Sequence, residues 1–215
     1  MMPTRRAFLA GGALCLAFGA RPSWARLSCR PVEGSTEVCR AEIDFQDFLQ
    51  HAYDPQRASQ WCWAACISMV FAFHGHPIRQ ERIVEEAYGG LYDLPSGSGR
   101  NIAHQLDRSW VDDRGRPFRS RLLSLFDAHD GRQDMDNAAV VEGLSRGQPI
   151  IVGARDHTVV LTAVDYLPSP AGFRLLGAGV FDPWPGIGPR DLAADEMVPV
   201  AEGGSLGFVA LPEID

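Results

Sequence analysis

An uninterrupted apolar stretch in the first third of the sequence most constrains how this chain folds. From Gln56 the chain reads Gln-Arg-Ala-Ser-Gln-Trp-Cys-Trp-Ala-Ala-Cys and then continues in mostly apolar residues as far as Phe73. No Gly or Pro interrupts it before Gly75, which predicts a helix from about Ser59 to His74. Its first residue is a suitable N-cap, which would leave Cys62 in the first turn.

Cys62 is therefore a candidate reactive thiol. A first-turn cysteine lies near the positive end of the helix dipole and beside unpaired backbone N–H groups, which favour the thiolate. A buried structural cysteine is the alternative. Trp63 follows directly, two alanines allow close packing behind it, and Gln56 lies six residues upstream. From there the Gln56 amide could reach an oxyanion.

A thiolate nucleophile needs a base, and the base needs an orienting partner. His157 precedes a β-branched stretch, and a strand end is a rigid support for an imidazole. Asp182, in Phe-Asp-Pro-Trp-Pro-Gly, is the preferred partner and would accept the Nδ1–H of His157, with Trp184 shielding that bond from water. Asp156 should point to the opposite face of the strand. Asp165 would lie roughly 26 Å away along an extended strand.

Together these residues resemble the site of papain-like cysteine peptidases, in which Gln precedes Cys-Trp-Ala by six positions. The Asp182-Pro-Trp sequence resembles bacterial members such as bacteriocin-leader peptidases and secreted effector proteases of plant pathogens; the usual pattern has Asn there. No Cys-Gly-Ser precedes the nucleophile. Cys62 and His157 are 95 residues apart, against roughly 130–150 in the papain and cathepsin group. The resemblance covers about residues 43–211 and implies a compact version.

The resemblance implies a cysteine peptidase in which Cys62 attacks a carbonyl carbon and His157 protonates the leaving amine. Asp182 would orient the imidazole, and Gln56 with the Cys62 backbone N–H would bind the oxyanion. Trp63 would support the site. A Cys-His-Asp amidase or transglutaminase, or an inactive papain-like binding module, is the alternative. The expected partner is a protein or peptide substrate, with no metal and no cofactor.

The first 25 residues read as an export signal, with Arg5-Arg6 ahead of an apolar stretch and Ser23-Trp-Ala as a cleavage site. The arginine pair resembles a twin-arginine signal, and an ordinary secretory signal is the alternative. We expect a periplasmic or secreted bacterial protein without a membrane anchor after cleavage. Without the three leader arginines, 17 arginines face 27 acidic residues, a formal charge of −10. That charge argues against nucleic acid as a partner, and the absence of Lys excludes Schiff-base chemistry.

Residues 26–50 are expected to form an N-terminal segment that contains a disulfide-closed loop between Cys29 and Cys39, as an oxidising compartment allows. Residues 51–215 are expected to form the peptidase domain. Cys66 lies four residues after Cys62 on the same helix face and should pack in the core. A bridge from Cys66 to Cys29 or Cys39 remains the alternative.

The remaining patterns predict helices before strands, an α+β fold. This would be papain-like, with an N-terminal helical half carrying the cysteine helix and packing on a C-terminal antiparallel sheet. Helices are predicted over residues 78–88, 101–110 and 137–146, and strands over residues 118–126, 149–153, 158–164, 173–181 and 206–211.

Overall fold

The computed structural model describes residues 25–32 and 36–215. The predicted leader therefore lies outside the described residues, apart from Ala25. The helices are α1 (Phe45–His51), α2 (Cys62–Phe73), α3 (Gln80–Tyr88), α4 (Gly99–Leu106) and α5 (Asn137–Ser145). The strands are β1 (Ala25–Val32), β2 (Thr36–Ile43), β3 (Arg108–Val111), β4 (Pro117–Asp127), β5 (Arg132–Gln133), β6 (Ile150–Ala154), β7 (His157–Ser169), β8 (Gly172–Asp182), β9 (Gly188–Asp191) and β10 (Leu206–Ile214).

The strands form one sheet with the path β1-β2-β7-β6-β10-β4-β3, to which β5, β8 and β9 add along β4, β7 and β8. Every pair of neighbouring strands is antiparallel. The long strand β7 pairs with β6 over residues 157–161, with β2 over residues 163–166 and with β8 over residues 160–169. Residues 160, 161 and 163–166 of β7 are therefore paired on both sides, and His157 at its start is paired with Ala154 of β6.

The N-terminal segment differs from its prediction as a loop. It forms the hairpin β1–β2, in which Cys29 lies opposite Cys39, and the predicted disulfide joins these two residues. Strand β2 also pairs with β7, so residues 36–43 belong to the sheet of the main domain. The sequence signal for these strands was weak because β1 is exposed along its described side chains.

Helix α2 lies at the centre of the molecule. Trp63 to Phe71 are all buried, which matches a helix that is apolar on every face. The predicted start at Ser59 is wrong, since α2 begins at Cys62 after the N-cap residue Trp61. Ser59 does not cap the helix; its hydroxyl donates to the Asp93 carboxylate at 2.8 Å.

The predictions for α3, α5, β4, β6 and β8 are confirmed with ends shifted by one or two residues. Strand β7 extends to Ser169 and β10 to Ile214, further than predicted, and α1, β3, β5 and β9 were not predicted. The predicted helix over residues 101–110 is wrong in its last part, because α4 ends at Leu106 and Trp110 lies in β3. There Trp110 pairs with Phe118 of β4 and packs its ring against Phe71 of α2. Tertiary packing of this large aromatic ring therefore outweighs the local helical pattern.

The structure combines helices with one antiparallel sheet, and the predicted α+β class is confirmed at that level. Phe48 of α1 contacts both Phe73 of α2 and Phe181 of β8, with ring centroids 5.9 and 5.6 Å away. This aromatic cluster holds the helical layer against the end of β8. Within the described part of the chain, no helix has the length and apolar character needed to span a membrane.

Candidate functional site

Cys62 is the first residue of α2 and is partly accessible. The N-cap residue Trp61 makes no side-chain hydrogen bond to the helix start. The backbone N–H groups of the first turn have no partner in the helical i→i−4 pattern, so they can stabilise negative charge. The predicted position of Cys62 in a first helical turn is confirmed.

A loop at residues 92–94 fastens the start of α2. The indole N–H of Trp61 donates to the carbonyl of Tyr92 at 2.9 Å, and that of Trp63 donates to the carbonyl of Leu94 at 3.2 Å. Between them, the Asp93 carboxylate accepts the backbone N–H of Gln60 at 2.8 Å. The two tryptophans on either side of Cys62 therefore hold the thiol in place through the backbone.

His157 is the first residue of β7, immediately after a two-residue turn from β6. The turn residues Arg155 and Asp156 have φ of 51° and 57°, the only positive φ angles among the described residues other than glycine. Such turns match the twist of a hairpin but usually contain Asn, Asp or Gly, and another residue such as Arg155 costs roughly 1–2 kcal/mol. His157 thus follows directly on a strained turn.

The imidazole of His157 hydrogen-bonds to Asp182, the last residue of β8. Its Nε2 lies 2.7 Å from Asp182 Oδ1, so the predicted bond through Nδ1 is wrong. With Nε2 engaged, Nδ1 is the ring nitrogen left for the thiol of Cys62, with which the imidazole also interacts. Asp182 is buried because Phe181 before it anchors in the aromatic core.

The pKa values of Cys62 and His157 move towards each other. Burial opposes ionisation of the Cys62 thiol, but hydrogen bonding and charge from His157 outweigh it and lower the thiol pKa. Burial also opposes the imidazolium, yet its hydrogen bonds to Asp182 and Cys62 raise the pKa of His157 to about 9. Both shifts favour a thiolate beside an imidazolium.

Thr158 is a site residue that the sequence analysis missed. It is buried next to His157, and its backbone N–H and its hydroxyl both act on the Cys62 thiol to lower the thiol pKa. A threonine in a β-branched strand carries no distinctive pattern. Only the approach of β7 to the start of α2 reveals its role.

Arg190 of β9 was also missed. Its Nε donates to Asp182 Oδ2 at 3.0 Å, and its Nη1 donates to Glu196 at 2.8 Å. Burial would raise the pKa of the Asp182 carboxyl, but His157, the backbone N–H of Trp184 and Arg190 lower it. Asp182 therefore stays ionised in spite of its burial.

Gln56 lies near this cluster, but its amide is already occupied. Its Nε2 donates to the carbonyls of Ala58 at 2.9 Å and Ser59 at 3.1 Å, while its Oε1 is buried without a partner. Its backbone N–H donates to the carbonyl of Pro183 at 2.8 Å, linking this loop to Asp182. Both amide hydrogens are used, so donation to an oxyanion requires the side chain to release a carbonyl.

The two supporting tryptophans differ. Trp63 is fully buried and packs edge-on against Tyr88. Trp184 is 47% exposed, its ring centroid lies 6.4 Å from that of His157, and its backbone N–H donates to Asp182 Oδ1 at 2.9 Å. Trp184 thus covers one side of the imidazole and is open to solvent on the other.

The other cysteine and the other two aspartates considered from the sequence have different environments from Cys62 and Asp182. Cys66 is a free, buried thiol whose pKa is raised well above its usual value by burial and by the negative charges of Cys62 and Asp182, as expected for a core position. Asp165 forms an ion pair with Arg40 at 3.0 Å. Asp156 is exposed in the turn before His157.

Within the described ranges, one group of potential metal ligands clusters closely enough to share an ion, namely Cys29, Glu37 and Cys39. Two of these three are joined in the disulfide and so lack a free thiolate. This group therefore does not support a metal site.

No protein-family model matches the chain, and a search of curated proteins finds no significant match.

Proposed function

We propose that this protein is a papain-like cysteine hydrolase that cleaves peptide bonds. The observation that carries the proposal is the contact of Cys62, at a helix start, with a His157 that is hydrogen-bonded to Asp182 at 2.7 Å. The thiolate is the nucleophilic form of cysteine, and the lowered thiol pKa increases its population at neutral pH. The division of the site between a helix start and two strands of the sheet is what a papain-like fold would require.

In the proposed reaction, the Cys62 thiolate attacks the carbonyl carbon and a C–S bond forms. His157 transfers its proton to the nitrogen of the leaving amine as the C–N bond breaks, which leaves an acyl-enzyme. A water molecule then attacks the acyl carbon and gives one proton to His157. Breaking of the C–S bond releases the acid and restores the thiolate–imidazolium pair.

The negative oxygen formed in each step needs hydrogen-bond donors. The backbone N–H of Cys62 is one proposed donor, because it has no helical partner. The Gln56 amide is the second and would exchange a carbonyl partner for the oxyanion. If so, Gln56→Ala should lower kcat on the order of 10²–10³-fold, as for loss of one oxyanion donor.

We also propose that the protein is exported from a bacterial cell and acts in the periplasm or outside the cell. The Cys29–Cys39 disulfide supports an oxidising compartment. A Cys62 that is reactive and a disulfide that persists can coexist there, because the two are remote in the fold. From its pairing with Cys39 at Tyr166 to its start at His157, β7 runs nine residues, or about 30 Å.

The test combines thiol labelling with substrate hydrolysis on the purified protein. We expect iodoacetamide at pH 6 to label Cys62, and fluorescent casein to be cleaved by the wild type and by Cys66→Ala but not by Cys62→Ala. Labelling mainly at Cys66 would overturn the proposal.

Two further substrates separate the related reactions. Cleavage of peptidoglycan fragments without cleavage of casein would identify an amidase. Incorporation of a fluorescent primary amine into casein would identify a transglutaminase, in which an amine replaces water. Stoichiometric labelling of Cys62 without any of these activities would identify a binding module.

A further inference from the structure

The Asp182 carboxylate is surrounded by donors on both oxygens. Its Oδ1 accepts from His157 Nε2 at 2.7 Å and from the backbone N–H of Trp184 at 2.9 Å, and its Oδ2 accepts from Arg190 Nε at 3.0 Å. A carboxylate can accept at both oxygens, whereas an amide can accept at only one. Two of these partners, the backbone N–H of Trp184 and Arg190 Nε, can only donate, one to each carboxylate oxygen.

Arg190 is itself held in a fixed orientation. Its Nη1 donates to Glu196 Oε2 at 2.8 Å and its Nη2 donates to Glu196 Oε1 at 3.0 Å, a bidentate pair. The Glu196 side chain is 4% exposed and that of Arg190 is 28% exposed. Because the guanidinium is planar, this pair sets the direction in which Nε points at Asp182.

Asp195, the residue before Glu196, supports the turn that precedes His157. Asp195 forms an ion pair with Arg155 in the strained turn before His157, where Arg155 Nε lies 2.8 Å from Asp195 Oδ2. Ser205 Oγ also donates to Asp195, at 3.0 Å. Asp195 and Glu196 lie on one 3-10 helix, Ala194–Met197, so a single short element supports both His157 and Asp182.

We propose that Arg190, locked by Glu196, is a positioning residue that fixes the plane of the Asp182 carboxylate and makes the site require Asp rather than Asn at this position. The proposal rests on the proposed hydrolase function. In Asp182→Asn, the new side-chain N–H meets either the Arg190 Nε–H or the backbone N–H of Trp184. Either contact places a donor against a donor, in a buried site where this is costly.

Arg190 changes the outcome expected for Asp182→Asn. Because the papain-like pattern itself has Asn here, the sequence alone predicts that this variant retains part of the activity. Arg190 reverses that expectation, because it donates to Oδ2, the position at which the Asn side chain would carry its N–H. The charged and titratable groups that interact with Asp182, Arg190 or Glu196 are His157, Cys66 and Arg155. Cys62 interacts with His157 and Cys66.

The test replaces Arg190, which donates to Asp182, with a residue that can accept a hydrogen bond at the same place. In Arg190→Gln the terminal amide is as many bonds from the backbone as the Arg190 Nε, and its oxygen can accept the side-chain N–H that Asp182→Asn introduces. Glu196→Gln is included so that no unpaired buried charge remains. Arg190→Met with Glu196→Gln is the matched control, because it keeps the length but provides no acceptor.

In the natural background, Asp182→Asn should lower kcat on the order of 10⁴-fold, as for a triad aspartate replaced by an amide. The pair Arg190→Gln and Glu196→Gln alone should lower kcat/KM roughly 10–100-fold, a range typical of outer-shell partners. Adding Asp182→Asn to that pair should cost at least about tenfold less than it does in the natural background. In the Arg190→Met, Glu196→Gln control, adding Asp182→Asn should lower activity as much as it does in the natural background.

The pH dependence of Cys62 alkylation gives a second readout that needs no hydrolysis. Asp182→Asn should move its midpoint upward by about 1 unit or more in the natural background, and by less when Gln occupies position 190. Equal effects of Asp182→Asn in all three backgrounds, with folding checked by thermal denaturation, would overturn the role of Arg190. Absence of preferential Cys62 labelling in the wild type would instead overturn the hydrolase proposal.

Discussion

Replacing Cys62 by Ala should lower the pKa of His157. In the wild type that pKa is about 9 against an ordinary value of 6.5, a difference of about 3 kcal/mol in favour of the imidazolium. Burial opposes this charge, and hydrogen bonds and charge from Asp182 and Cys62 supply the stabilisation. Without the thiolate, Asp182 alone remains, so the pKa should fall part of the way towards 6.5.

The assay is an NMR pH titration of ring-labelled histidines, with the His157 signal assigned from the Asp182→Ala and His157→Gln variants. Cys66→Ala is the matched control, because it removes a neighbouring thiol that does not contribute to the His157 pKa, and it should leave the value near 9. A wild-type His157 that titrates at or below 6.5 would refute the thiolate–imidazolium pair. A Cys62→Ala variant with an unchanged pKa would refute the coupling.

Three further predictions concern acid stability, the thiol and the disulfide. Burial and the nearby His76 lower the pKa of His74 to about 4, so between pH 6.5 and 4 the unfolded state binds more protons. The unfolding free energy should fall by up to about 3 kcal/mol as the pH drops through this range, and His74→Gln should flatten that dependence in urea titrations. Thr158→Val should move the pH midpoint of Cys62 alkylation upward while Thr158→Ser leaves it in place, because only the valine loses the hydroxyl. Equal midpoints in the two variants would show that the hydroxyl does not affect the Cys62 thiol. Replacing both disulfide cysteines by Ser should destabilise the fold by about 2–3 kcal/mol in denaturant titrations and leave Cys62 labelling unchanged.

Local sequence determined the elements that carry the predicted cluster. The apolar run after Cys62 has no breaker before Gly75, so a helix starting near the cysteine follows from propensity and pattern alone. The β-branched run after His157 and the Asp-Pro that ends β8 likewise identify strand ends. These signals depend on neighbours within a few residues, and for that reason they can be recognised without a structure.

Tertiary structure decided which side chains contact the residues at these helix and strand ends. The bond through His157 Nε2, the contact of Thr158 with the Cys62 sulfur and the placement of Trp110 in a strand all depend on how distant elements pack. The pairing of Asp182 with Arg190 depends on the antiparallel contact of β8 and β9, in which Asp182 lies opposite Gly188. An arginine in an arginine-rich chain has no local signal that distinguishes a buried partner from a surface charge. Hydrogen bonds between side chains far apart in sequence are set only when the chain folds. The sequence therefore indicated Cys62, His157 and Asp182, and the fold decided the ring nitrogen that His157 uses and the additional partners Thr158 and Arg190.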